Sequence, residues 1–145
     1  MIRVAQLGIA MALLGIVITF MGLFPGLIGF PPTPGVGVTQ ILLMIGGLSL
    51  LILGALTFVR FMFYANQPLT LAQQIGIRLA LTGLTFAALG ALADVLGFGS
   101  NLRRLGEDIL FGPIQMVGLL ISFGAASAGV MLFALAGQPE VTRDE

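Results

Sequence analysis

The chain has 145 residues, of which 58% are hydrophobic and 8% charged, with a formal net charge of zero. A water-soluble domain carries about 25% charged residues, so most of this surface must face lipid or protein, and with no excess of positive charge no nucleic-acid partner is expected. Cys, His, Lys and Trp are all absent, which removes disulfides, thiolate and imidazole metal ligands, and the usual proton carrier at neutral pH.

No charged residue falls between Arg3 and Arg60. A helix needs about 20 apolar residues to cross a bilayer, so this stretch is expected to hold two spans and a turn. Pro25, Pro31, Pro32 and Pro34, with glycines between them, forbid one continuous helix. The first span is therefore placed at residues 2–23, a Pro/Gly-rich loop at 24–37 and the second span at 38–64. A cleaved signal peptide competes for the N-terminal segment, but the apolar run is longer than a signal core and lacks a cleavage pattern.

Asn66, Gln67 and Pro68 end the second span. Thr70, three residues before Gln73, reads as a capping box that opens a third span at 71–96, stopped by Gly97. Residues 97–112 form the charge-dense loop, with Arg103, Arg104, Glu107 and Asp108. Pro113 occupies a favoured first helical position and opens the fourth span at 113–136. Gly137 and Pro139 stop it and leave a polar tail at 137–145. The expected fold is all-α: a polytopic membrane protein forming one four-transmembrane-helix bundle.

Arginines suggest the orientation. With the N-terminus inside, Arg3, Arg60, Arg78 and Arg143 lie on the cytoplasmic side, and Arg103 and Arg104 lie outside. The positive-inside rule favours that arrangement. The expectation is an integral protein of a bacterial or archaeal plasma membrane, both termini cytoplasmic. Phe58, Phe61, Phe63 and Tyr64 gather at one expected interface, and Phe20, Phe24, Phe30, Phe98 and Phe111 toward the other, as aromatic belts do.

The first and third spans look alike. Gln6, Gly8, Ile9, Ala12, Leu13 and Gly15 align without gaps on Gln74, Gly76, Ile77, Ala80, Leu81 and Gly83, and Gly22 stays in register with Gly90. The second and fourth match more faintly, Gly37 and Gln40 with Gly112 and Gln115, Gly54 with Gly129, Phe58 with Phe133. Two readings stand: chance similarity between Gly/Leu/Ala-rich helices, or a duplicated hairpin. A duplication would give a parallel repeat about an axis along the membrane normal. Gly83, Ala87 and Ala91, and Gly118, Ser122 and Ala126, form two small-residue stripes. Such stripes let helix backbones approach closely, here within the bundle or at an oligomer face.

No Asp, Glu, Lys or Arg is expected near the midplane of any span. Coupled transporters keep an ionisable group there, and an intramembrane aspartyl protease needs paired carboxylates. Ser49, Ser122 and Ser127 have neither His nor Lys as a base. Arg78 stands two turns into the third span. It either snorkels to the headgroups or meets a lipid phosphate, Glu140 or a partner subunit. Arg60, Arg103 and Arg104 are the other candidates for lipid or partner contact. Asp94 is expected to pair with Arg103 or Arg104. Gln40 and Gln115 either hydrogen-bond across the bundle or line an outer vestibule. Residues 100–110 have the pattern of an amphipathic surface segment or a docking surface.

The composition therefore points to a non-catalytic membrane protein without a cofactor. Its expected role is an accessory or structural subunit of a larger complex, with lipids and other membrane subunits, or copies of itself, as partners. The alternative is a homo-oligomeric pore or uncoupled carrier, lined by Thr19, Thr82, Thr85, Ser122 and Ser127. An enzyme acting on lipid lacks a visible nucleophile–base pair or metal cluster.

Overall fold

The computed structural model describes residues 2–29, 38–93 and 113–137. Among these residues the protein is all-helical, as expected. Helix α1 is Ile2–Leu23, α2 Val38–Phe63, α3 Leu71–Leu92 and α4 Pro113–Leu135, with a short 3-10 turn at Pro25–Ile28 after α1. All four helices are long and apolar enough to cross a membrane. At 1.5 Å per residue their 22 to 26 residues span roughly 33–39 Å, enough for a hydrocarbon core of about 30 Å. The protein is a four-helix membrane bundle.

Breakers and caps set the ends. Pro25 sits in the first turn of the 3-10 segment, which closes at Gly29 with φ of 78°, a left-handed conformation that glycine adopts freely. Thr70 caps α3: its hydroxyl accepts from the Gln73 amide at 3.2 Å, and its own N–H donates to Gln73 Oε1 at 3.2 Å. The Pro31–Pro34 run, Asp94, the loop with Arg103 and Arg104, and the tail with Glu140 and Arg143 lie outside the described residues.

The helices pair as two antiparallel hairpins. Helix α1 packs along α2 and α3 along α4, and the hairpins meet through α2, which lies against both α3 and α4. Glycines make the pairing close. A methyl group on Gly8 would lie 2.6 Å from the Phe58 amide nitrogen and 2.9 Å from the Gly54 carbonyl oxygen. One on Gly15 would lie 2.5 Å from both Gly47 O and Leu51 N. Contacts this short leave no room for a side chain, so the helix backbones touch directly. Without a hydrophobic drive between helices in lipid, such van der Waals contact is what binds them.

The second hairpin repeats the scheme at the aligned positions. Gly76 meets Gly129 O and Phe133 N as Gly8 meets Gly54 and Phe58. Gly83 meets Ser122 O and Ala126 N as Gly15 meets Gly47 and Leu51. Gly129 meets Ala80 N and Gly76 O as Gly54 meets Ala12 and Gly8. Gly8, Gly15 and Gly22 fall seven residues apart, and the facing positions alternate by fours and threes. That spacing keeps one seam in contact along a gently coiled pair.

The equivalence stops at the end of the bundle distant from the start of α1 and the end of α4, here called the far end. Gly22 touches Met44 and the Gln40 carbonyl, whereas the aligned Gly90 has nothing within 4 Å. Between the hairpins the core is formed by Ile52, Ala80, Leu84 and Ala126, with Leu56, Phe123 and Val130 packed against them.

Candidate functional site

Most of the described polar side chains that reach across helices collect at the near end, where α1 starts, α2 turns into α3 and α4 finishes. The reason begins with α4. The last carbonyls of a helix have no amide partner one turn on, and in apolar surroundings an unmet carbonyl is costly. Three side chains meet them, one from the end of α2 and two from the start of α3. Tyr64 OH donates to Ala134 O at 2.7 Å, Thr70 Oγ1 donates to Ala136 O at 3.1 Å, and Gln73 Nε2 donates to Phe133 O at 3.5 Å.

Each donor is positioned by its own local structure. Thr70 and Gln73 are held by their reciprocal cap, so one threonine hydroxyl accepts from α3 and donates to α4. Gln73 is 1% exposed, the one buried polar side chain among the described residues. Tyr64 lies just past α2, with its amide bonded to Arg60 O at 3.1 Å. Its ring packs edge-on to Phe133, centroids 6.1 Å apart, and lies over Gly137, where any side chain would collide with it. Together these groups form a latch that ties the α2–α3 turn to the end of α4.

Arg60 extends the latch sideways. Its Nη1 donates to Gln67 O at 3.0 Å, pinning the α2–α3 turn. It also stands at one end of a groove of about 270 Å³ between α2 and α3, lined by Leu53, Leu56, Thr57, Phe61, Leu69, Ile77, Leu81 and Phe133. A second cavity of about 250 Å³ opens at the far end, lined by Ile41, Met44, Ile45 and Leu48 of α2, Ala91 of α3, and Met116, Leu119, Leu120 and Phe123 of α4.

The sequence-derived candidates are placed as follows. Gly83, Ala87, Ala91 and Ala126 are buried between helices, and the Ser122 carbonyl faces Gly83. Gly118 does not join them. It is exposed with nothing within 4 Å, because it stands one residue off the heptad seam that runs through Ser122, Ala126, Gly129 and Phe133. Gln40 and Gln115 are half-buried in the aligned first turns of α2 and α4. Arg78 is exposed on α3. Asp94, Arg103 and Arg104 lie outside the described residues. The hydroxyls of Thr19, Thr85 and Ser122 donate to carbonyls of their own helices, at Gly15, Leu81 and Gly118.

Sequence reading missed the latch as a unit. Tyr64 reads as an interface aromatic and Gln73 as half of a cap, and nothing local ties either to its partner on α4, 70 and 60 residues away. No group of three or more His, Cys, Asp or Glu side chains suited to a metal ion occurs among the described residues. No protein-family model, curated protein or solved structure matches this chain.

Proposed function

We propose that this protein is a non-catalytic structural or accessory subunit of a larger membrane assembly, with both termini in the cytoplasm. One observation carries the reading. The face of α4 turned away from α3 has a notch at its centre. Gly124 and Ala128 are exposed there one turn apart, and Gly124 has nothing within 4 Å. Val117, Leu120 and Ile121 rise on one side of the notch, and Met131 and Leu135 on the other, all exposed.

Gly8, Gly15, Gly54, Gly76, Gly83 and Gly129 in the hairpins' contact seams each receive a neighbouring backbone, whereas Gly124 is open. An open glycine–alanine pair in an apolar ridge is the shape that accepts another transmembrane helix. Self-association would use the same notch. The orientation rests on Arg3, Arg60 and Arg78, which share the near end and favour the cytoplasmic side. Of the five hydroxyls of the pore or carrier alternative, those of Thr19, Thr85 and Ser122 are engaged with their own helices, and Thr82 and Ser127 are exposed.

The test is extraction from native membranes in mild detergent, followed by native mass measurement. The wild type is expected in a particle heavier than its own 15.1 kDa. Gly124→Ile fills the notch without adding polarity and is expected to release the chain while leaving its helix content unchanged. A wild type that always migrates alone would defeat the proposal. A particle made only of this chain would replace the accessory role with self-assembly.

A further inference from the structure

Lipid contact by the cationic side chains can be narrowed to one place. We infer that the groove between α2 and α3 at Arg60 is a binding site for an anionic phospholipid of the near-end leaflet, with one acyl chain in the groove and the phosphate on the Arg60 guanidinium. The groove is charged at one end and apolar along the rest except at Thr57, whose hydroxyl donates to Leu53 O. From Arg60 to Leu53 it runs along about 10 Å of helix, walled by Leu53, Leu56, Ile77 and Leu81, with Phe133 behind them. In a membrane-spanning bundle that depth is occupied by hydrocarbon, and an open apolar furrow there takes an acyl chain.

Arg60 supplies the headgroup half. A guanidinium presents five N–H donors in a planar fork suited to phosphate oxygens. Gln67 O is its one hydrogen-bond partner among the described residues, and that bond holds the side chain at the mouth of the groove. Charge selects the lipid class. Among the described residues the groove is lined by one cation, Arg60, and by no carboxylate. A cationic mouth favours anionic headgroups over zwitterionic ones. The site does not depend on whether the chain has protein partners.

The absence of Trp allows a direct test. Phe61→Trp places a single fluorophore at the groove, and Phe86→Trp places one on the exposed face of α3 away from it. Each variant is reconstituted with brominated phosphatidylglycerol or brominated phosphatidylcholine in an otherwise unbrominated bilayer. Half-maximal quenching of Phe61→Trp is expected at a several-fold lower mole fraction of phosphatidylglycerol than of phosphatidylcholine, and Phe86→Trp is expected to show no preference. Adding Arg60→Gln should abolish the preference, Arg60→Lys should retain part of it, and Arg3→Gln, the same charge loss away from the groove, should leave it within about twofold. Equal quenching by the two lipids at Phe61→Trp would overturn the site. So would a preference that survives Arg60→Gln, or one lost equally with Arg3→Gln.

Discussion

A methyl group on Gly83 would lie 2.5 Å from the Ser122 carbonyl oxygen and 2.6 Å from the Ala126 nitrogen. Both are backbone atoms in a helix and cannot turn aside, so the hairpin must open to admit it. Gly83→Ala is therefore expected to destabilise the bundle by about 1–3 kcal/mol, the usual cost of overpacking. Gly90→Ala, one heptad on with nothing within 4 Å, should be neutral or slightly stabilising, because alanine is the better helix former. Reversible unfolding in mixed micelles separates the two, and equal effects would show that packing is not what the glycine serves. The signal was present in the chain. Glycines at 8, 15 and 22 recur at the helical heptad and again at 76, 83 and 90. Their partners were not readable, because a glycine announces that something comes close without saying what.

At the scale of elements, the helix ends were the legible part. Proline and glycine at residues 25, 68, 113 and 137 bracket helices that run from Ile2 to Leu23, Val38 to Phe63, Leu71 to Leu92 and Pro113 to Leu135. The latch was not legible, since it joins side chains to bare carbonyls on another helix, and carbonyls carry no sequence identity. Its energetics can be measured. Tyr64→Phe removes the donor to Ala134 O and keeps the ring over Gly137, for an expected loss of about 1 kcal/mol. Gln73→Leu leaves both the Thr70 N–H and Phe133 O without a partner where water is scarce, for an expected loss of about 1–3 kcal/mol. Because both act on the last turn of α4, the double variant should lose less than the sum of the singles. Strict additivity in a double-mutant cycle would mean that Tyr64 and Gln73 hold the end of α4 independently.

For the whole molecule, the aligned register foreseen between the hairpins extends to their contacts. Gly8 on Gly54 and Phe58 has its counterpart in Gly76 on Gly129 and Phe133. What no pattern in the sequence indicated is how the hairpins meet. Packing between them falls to ordinary apolar residues such as Ile52 and Leu84, which resemble the lipid-facing ones. The native chain has no cysteine, so topology can be mapped with single substitutions. Gly26→Cys and Asn66→Cys lie at exposed positions on opposite ends of α1 and α2. An impermeant thiol reagent applied to intact cells is expected to modify Gly26→Cys and to reach Asn66→Cys only after lysis. Modification of both from the same side would be incompatible with four crossings.

The two ends of the bundle are built to different tolerances. At the near end, Tyr64, Thr70 and Gln73 clamp α4, while at the far end Gly90 stands clear and a cavity of about 250 Å³ lies between α2 and α4. Mechanically this is a pair of tongs with a stiff pivot and yielding jaws. Lateral pressure in the surrounding bilayer acts on both ends, but at the pivot Tyr64, Thr70 and Gln73 tie α4 in place. Thinning or crowding of the membrane should therefore change the spread of the far ends while leaving the pivot in place.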